Sequence, residues 1–270
     1  METIKPSPNS PIGIFDSGLG GLTVLKSLER ILPNESFLYF GDTAHVPYGT
    51  KSTETVIRYS QRIMGFFQKH ETKAVVIACN TASAVAYQQL QQIYKIPLFD
   101  VVTPSVEYSI NITKSKKVGV VGTFSTIQSN AYTKMFKKLG SGCFVKEVPC
   151  PLFVPIIEEG WADTAIAKNI AETYLKELRD YNIDTLILGC THYPLIKDII
   201  MQYINPQTKV LDSSIIMAQH VKQFLIETKL VSLSSNPTTE FYISDDPVKF
   251  RDAAVKIIEN FDGMVNKINL

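Results

Sequence analysis

The chain has 270 residues, of which 45% are hydrophobic and 20% charged, and its net charge is +1. This composition is typical of a soluble globular protein with one large or two ordinary domains, and the near-neutral charge gives no indication of nucleic-acid binding. No apolar run is long enough to span a bilayer, and the polar start lacks the apolar core of a signal peptide. Because the four cysteines show no framework spacing, we expect free thiols in a cytoplasmic protein.

Strand and helix patterns alternate along the first part of the chain. The predicted elements are a strand over 11–15, a helix over 22–32, a strand over 37–40, a helix over 53–70, a strand over 74–78, a helix over 82–94 and a strand over 97–102. The helix over 22–32 shows the spacing most clearly, since Leu22, Leu25, Leu28 and Leu32 fall on one face.

The alternation continues through the second part. The predicted elements are a strand over 116–121, a helix over 125–139, a strand over 144–148, a short apolar segment over 152–159, a helix over 162–181, a strand over 185–189, a strand over 209–211, a helix over 214–227, a strand over 241–243 and a helix over 248–258. Repeated strand-to-helix alternation predicts α/β layers with a parallel sheet.

Two stretches of the chain, 74–81 and 185–194, resemble each other. Each is a short apolar run that ends at a cysteine, Cys79 or Cys190, followed by residues that favour helix starts. A cysteine beside a helix start lies where its thiolate is favoured. We therefore expect one device used twice, in two similar parallel-sheet α/β domains that face each other across an active-site cleft.

The predicted domain boundaries assign one cysteine unit to each domain and let the chain return to complete the first sheet. The first domain comprises 11–102 plus 213–263 and carries Asp16 and Cys79. The second comprises 103–212 and carries Cys190 and His192.

Polar residues gather where the predicted strands end. They are Asp16, Ser17, Asp42, Tyr48, Gly49, Cys79, Asn80, Thr81, Thr123, Cys190, Thr191 and His192. Because ligands of open parallel sheets bind at the carboxyl ends of the strands, this clustering favours an enzyme.

Several of these features also have plainer interpretations. Cys143 and Cys150 are best explained as small apolar fillers, Asp16 and Ser17 could cap the following helix, and Glu158 could be a solvated acid at a helix end. The glycines at 18, 20 and 21 suggest a phosphate-binding turn, but Thr23 stands where the dinucleotide fingerprint has Gly or Ala. A metal site is weaker still, because there is no Cys-x-x-Cys and no His pair at helical spacing.

Two thiols across a cleft suit one task, which is to move a proton from one face of a carbon atom to the other. One cysteine removes the Cα proton as a thiolate, and the other returns a proton as a thiol. Cysteine suits both roles because its ordinary pKa is about 8.5. Asp16 and His192 can each serve as proton partner to one cysteine.

At these residues the chain resembles the cofactor-independent glutamate racemases of the aspartate/glutamate racemase superfamily. The matching motifs are 15–24, 41–44 with 47–49, 78–84 and 188–195. One departure is His45, where many relatives carry Arg.

The resemblance implies roles for individual residues. It implies that Cys79 and Cys190 are the two acid/bases and that Asp16 and His192 assist them. Residues that would hold the charged groups of the amino acid are Ser17, Tyr48, Gly49, Asn80, Thr81 and Thr191. Thr123 and Glu158 fall at further substrate-facing positions.

The expected function is therefore interconversion of L- and D-glutamate in the cytoplasm, which supplies D-glutamate for peptidoglycan in cell-wall synthesis. We expect glutamate as the small-molecule partner, no cofactor, no metal, no required nucleic acid and no membrane; a homodimer is compatible with this interpretation. The alternatives are a racemase of another acidic amino acid such as aspartate, a nucleotide-dependent oxidoreductase, and a binding or regulatory protein that kept the fold.

Overall fold

The computed structural model describes residues 7–259 and 261–269. The strands are β1 Ile12–Asp16, β2 Phe37–Gly41, β3 Ala74–Ile77, β4 Leu98–Asp100, β5 Lys117–Gly122, β6 Phe144–Pro149, β7 Thr185–Gly189, β8 Lys209–Asp212, β9 Thr239–Ile243 and β10 Val265–Lys267. The α-helices are α1 Leu22–Ile31, α2 Thr53–Lys69, α3 Asn80–Ile93, α4 Val102–Ile112, α5 Phe124–Gln128, α6 Ala131–Lys138, α7 Phe153–Glu158, α8 Ala165–Asp180, α9 Lys197–Gln202, α10 Ser213–Thr228 and α11 Pro247–Ala254. Short 3₁₀ helices lie at Tyr48–Thr50 and Tyr193–Ile196.

The strands form two sheets, and every pair of neighbouring strands is parallel. The six-stranded sheet has the order β10-β9-β2-β1-β3-β4, and the four-stranded sheet has the order β6-β5-β7-β8. The prediction of two parallel-sheet α/β domains is confirmed. The boundaries drawn at 102/103 and 212/213 stay a prediction.

Each sheet is covered on both faces, which explains why its central strands are continuously apolar. Along β1, Ile14 packs into one hydrophobic cluster with helices α1 and α10, whereas the next residue, Phe15, packs into another with α2 and α3. In the second sheet, Leu188 and Ile187 of β7 separate into two clusters in the same way. All five residues of β1 and of β7 are buried, so the carboxyl ends of these strands are held rigidly.

Helix α4 is absent from the sequence prediction, which ends the segment as a strand at residue 102. Its sequence is rich in β-branched residues, which have low helix propensity. The helix forms because the Asp100 carboxylate accepts hydrogen bonds from the backbone N–H of Val102 and Thr103, at 2.9 and 2.8 Å. Pro104 lies in the first turn, where its missing N–H is no loss.

Three further expectations are corrected. The helix expected over 125–139 is interrupted at Ser129 and Asn130, where Asn130 adopts φ 54°, and becomes α5 and α6. Strand β10 has no counterpart in the prediction. The sequence predicts the same cysteine-to-helix turn twice, but the two differ. Cys79 directly precedes the 14-residue helix α3, whereas the residues after Cys190 form a turn and a four-residue 3₁₀ helix.

Within residues 7–259 and 261–269, no helix combines the length and apolar character needed to cross a membrane.

Candidate active site

A narrow cavity of about 30 Å³ lies between the two domains, at the carboxyl ends of their central strands. Its lining residues are Ser17, Val46, Pro47, Tyr48, Gly49, Cys79, Asn80, Thr81, Thr123, Val154, Cys190, Thr191 and His192. The structure thus brings together ten of the twelve residues that the sequence singled out as catalytic or substrate-binding; Asp16 and Glu158 lie behind this lining.

Cys79 stands at the N-cap of α3, and its thiol is 3.8 Å from the hydroxyl of Ser17. Burial raises the pKa of Cys79 to about 12, and the negative charge of Asp16 adds to the increase. A hydrogen bond from the backbone at Ala82 acts in the opposite direction but is smaller. The expectation that the helix start favours the thiolate is therefore outweighed by burial.

Asp16 is fully buried beneath the cavity at the end of β1. Its carboxylate accepts hydrogen bonds from the N–H of Gly18 at 2.9 Å and from the hydroxyl of Thr191 at 3.4 Å. Burial raises the pKa of Asp16, and the charge of His192 partly opposes that effect. Asp16 acts on Cys79 through its charge, since the hydrogen bonds of the Cys79 thiol are with Ser17 and the backbone at Ala82.

The second cysteine has a relay of side chains behind it. Nδ1 of His192 is 4.0 Å from the Cys190 sulfur, and Nε2 is 3.0 Å from Oε1 of Glu158. Burial alone lowers the pKa of His192, but the hydrogen bonds with Cys190 and Glu158 outweigh burial and raise the pKa to about 10. Glu158 does end a helix, as its plainer interpretation held, but its carboxylate also contacts the imidazole.

Tyr48 is held by a residue that the site prediction omitted. Its hydroxyl donates to Oδ2 of Asp42 at 2.6 Å, and the other oxygen of Asp42 accepts from Ser244 at 2.7 Å and contacts Nδ1 of His45 at 2.8 Å. Burial raises the pKa of Tyr48, so its hydroxyl keeps its proton. The sequence does place Asp42 at the end of a strand, together with the polar residues that received a role in the predicted site.

Three threonine hydroxyls meet where the two domains touch. Thr81 lies 2.9 Å from Thr123 and 3.2 Å from Thr126, and Thr123 lies 2.9 Å from Thr126. Thr126 gave no sequence signal, since nothing in its neighbourhood predicts contact with α3. Gly49 packs so tightly here that a Cβ on it would lie 2.6 Å from the Cβ of Thr123.

The glycine turn after β1 does not form a phosphate cradle. A Cβ on Gly20 would lie 2.2 Å from the Thr191 hydroxyl and 2.5 Å from Nδ1 of His192, and one on Gly21 would lie 2.4 Å from the Cβ of Asp16. The glycines therefore let the first domain approach the second cysteine turn, which removes the main support for a nucleotide-dependent enzyme.

The metal-site alternative and the two cysteines outside the site can also be compared with the structure. In the part of the chain that the structure describes, no three His, Cys, Asp or Glu side chains are arranged to hold a metal ion. All four cysteines are unpaired. Cys150 is buried, and burial raises its pKa.

Known proteins resemble this chain in both sequence and fold. The profile of the Asp/Glu/hydantoin racemase family matches residues 12–221. A glutamate racemase of Geobacter metallireducens is 45% identical over 268 residues, which cover 97% of this chain and 98% of the relative.

Two crystal structures superpose over nearly the whole chain. A glutamate racemase isoform from Bacillus anthracis has a TM-score of 0.94 at 34% identity. The glutamate racemase of Francisella tularensis in complex with D-glutamate has a TM-score of 0.91 at 41% identity. Each comparison covers 97% of this chain and 98% of the other. With the family profile and full-length relatives in agreement, the chain belongs to the glutamate racemases of the Asp/Glu/hydantoin racemase family, which are isomerases.

Proposed function

We propose that the chain interconverts L- and D-glutamate by transferring the Cα proton between the thiols of Cys79 and Cys190, without a cofactor. The observation that carries this proposal is the cavity between the domains, to which each domain contributes one buried cysteine at the end of a central strand. Racemisation requires an acid/base on each face of Cα, and two thiols from opposite domains can supply both.

The proton balance of one turnover is simple. The thiolate of one cysteine takes the Cα proton and becomes a thiol, while the thiol of the other gives its proton to the opposite face and becomes a thiolate. Burial and Asp16 favour the thiol of Cys79, and His192, with its raised pKa, lies beside Cys190 carrying a positive charge. Which thiol removes the proton depends on the enantiomer bound, because the base for one enantiomer is the acid for the other.

The intermediate is a carbanion next to a carboxylate, so the site must stabilise growing negative charge. Hydroxyl groups of Ser17, Thr81 and Thr191 line the cavity, and the first backbone N–H groups of α3 lie beside Cys79. Preorganised donors of this kind act most strongly in a site that excludes water.

Substrate recognition follows from the polar lining. We assign the charged groups of the amino acid to Ser17, Tyr48, Gly49, Asn80, Thr81 and Thr191, with Thr123 as a further contact. Glu158 lies behind the lining and would act on the substrate through the imidazole of His192. We take glutamate rather than aspartate as the substrate, because the relatives that match this chain over nearly its whole length are glutamate racemases. Parallel assays on L-glutamate and L-aspartate decide this point.

The physiological role that fits this activity is the supply of D-glutamate for peptidoglycan. Both catalytic thiols must stay reduced, which is consistent with a cytoplasmic location. The homodimer stays a prediction, which sedimentation equilibrium would check.

The mechanism is tested by following the Cα proton in deuterated water. The returning proton comes from a thiol that exchanges with solvent between turnovers, so product of the opposite hand should carry deuterium at Cα from the first turnover. The remaining substrate should stay largely protiated at low conversion. Proton NMR of the Cα signal measures both, and product that keeps most of its original hydrogen would defeat the two-thiol mechanism.

The assignment of the two bases is tested by Cys79→Ser and Cys190→Ser. We expect each change to abolish racemisation with the fold intact, because a hydroxyl is a far weaker acid than a thiol. Cys143→Ser is the matched control, since this half-buried thiol is outside the cavity lining. Near-normal turnover in either active-site variant would remove that cysteine from the mechanism.

A further inference from the structure

Tyr132 is a fully buried residue of α6, in the second domain, with no assigned role in the reaction. Its hydroxyl accepts a hydrogen bond from Nδ2 of Asn80, in the first domain, at 2.9 Å. A buried phenol needs such a partner, because an unpaired hydroxyl is costly to remove from water. Among the described residues, Asn80 is the hydrogen-bond partner of this hydroxyl.

The phenol lies between the two cysteine turns. Asn80 directly follows Cys79, and Gly189 directly precedes Cys190. A Cβ on Gly189 would lie 3.3 Å from Cε2 and from the hydroxyl oxygen of Tyr132. One rigid side chain thus hydrogen-bonds to the neighbour of Cys79 and lies next to the neighbour of Cys190.

The start of α6 is fixed by a second set of contacts. The backbone N–H and the hydroxyl of Thr133 both donate to Oε1 of Glu147 on β6, at 2.9 and 2.5 Å. This carboxylate holds the first turn of the helix against the sheet. The ring of Tyr132 is therefore presented to Asn80 from a rigid base.

We infer that Tyr132 is a positioning residue that fixes the orientation of the Asn80 amide in the active site. One N–H of the amide is bound by the phenol, which leaves Oδ1 as an acceptor for the ammonium group of an α-amino acid. Because Asn80 lines the cavity, its orientation determines how well it meets the substrate. This inference rests on the proposed racemisation for its kinetic effect, but the Asn80–Tyr132 hydrogen bond can be tested independently.

The kinetic test is Tyr132→Phe, which removes the hydroxyl and keeps the packed ring. We expect KM to rise about fivefold for both enantiomers, the value of one ordinary hydrogen bond, with kcat nearly unchanged. Tyr94→Phe is the matched control, because the Tyr94 hydroxyl donates to the carbonyl of Gln61 near the far end of α3. An unchanged KM in Tyr132→Phe, or an equal rise in Tyr94→Phe, would overturn the inference.

A double-mutant cycle separates positioning from general destabilisation. In the Asn80→Ala background, Tyr132→Phe should have no further effect on KM, because its target is gone. An undiminished effect there would show that the hydroxyl acts by another route.

A spectroscopic test does not depend on turnover. The side-chain amide signal of Asn80, identified in ¹H–¹⁵N spectra by its loss in Asn80→Ala, should shift in Tyr132→Phe and not in Tyr94→Phe. An unmoved signal would overturn the inference even if the wild-type protein racemises glutamate. Conversely, if the signal shifts but the wild-type protein does not racemise glutamate, the contact is upheld and only the proposed function fails.

Discussion

The two cysteines have different surroundings although they occupy similar places in the chain. Both end a buried strand, as the sequence predicted. Cys79 is nevertheless governed by burial and by Asp16, which raise its pKa, whereas Cys190 has His192 beside it and Glu158 behind the histidine. A sequence pattern locates each thiol but gives neither its burial nor the distance to its partners.

The raised pKa of His192 predicts a pH-dependent contribution to stability. The ordinary pKa is 6.5 and the folded-state pKa is about 10, so folding favours the protonated form. Stability from this residue is fully present below pH 6.5 and is lost as the pH rises towards 10. The difference in free energy of unfolding between wild type and His192→Gln should therefore shrink over this range.

Chemical denaturation at pH 6, 8 and 10 in reducing buffer measures that difference. Titration of Cys79 affects both proteins and cancels in the comparison. A difference that stays constant from pH 6 to 10 would show that His192 is not held in its protonated form.

Asp16 and His192 should affect the two directions of racemisation unequally. Asp16 lies close enough to raise the pKa of Cys79, and His192 lies beside Cys190. We expect Asp16→Asn and His192→Asn to be milder than the cysteine substitutions and to lower kcat mainly in opposite directions. Initial rates with L- and D-glutamate, taken separately by circular dichroism, measure this. Equal losses in both directions for both variants would contradict a division of labour between the faces.

At the scale of elements, the sequence predicted the strands and helices whose apolar pattern is strong. It missed α4, where capping by Asp100 and tertiary packing override the low propensity of β-branched residues. It also extended one helix through Asn130, which adopts the left-handed conformation that asparagine tolerates better than most residues. Tertiary packing contributes to whether these elements form, so local sequence patterns could not predict them.

The glycine turn between β1 and α1 is an element whose role only the structure explains. We expect Gly20→Ala to lose about 1–3 kcal/mol of stability and most of its activity, since the added methyl would overlap Thr191 and His192. Gly65→Ala in α2 is the control, because nothing lies within 4 Å of the added methyl and alanine favours the helix. Thermal unfolding and initial rates compare the two, and a fully active, stable Gly20→Ala protein would refute the close packing.

At the scale of the whole molecule, the sequence located ten of the cavity-lining residues but not the contacts that join the two domains. The hydroxyl of Thr23 donates to the carbonyl of Thr191 at 3.1 Å, and the hydroxyl of Ser125 donates to the carbonyl of Gly49 at 2.8 Å. These pairs are far apart in the chain and involve common polar residues. Their pairing follows from how the domains meet, which no local pattern encodes.

Stability and chemistry should be separable, because the most deeply buried ion pair among the described residues lies at the other end of the first sheet. Lys73 directly precedes β3 and Cys79 follows it, about 20 Å away at the rise of an extended strand. The Lys73 ammonium pairs with Glu35 and also donates to the carbonyls of Pro8 and Leu230, at 2.5 and 2.9 Å. The side chains of this pair are 0% and 1% exposed, so removing one partner leaves the other charge buried.

Lys73→Met should therefore lower the free energy of unfolding by about 3–5 kcal/mol while leaving kcat and KM unchanged below the unfolding transition. In the double variant Lys73→Met/Glu35→Gln the buried charge is gone, and the glutamine oxygen can still accept from the N–H of Ser232, as Glu35 does at 2.8 Å. Part of the lost stability should return. Urea denaturation and steady-state kinetics on the same preparations measure both quantities. If kcat in the single variant instead falls in parallel with stability, the result contradicts the prediction, because it means that the cavity at the carboxyl ends of the strands depends on the distant Lys73–Glu35 pair for its rigidity.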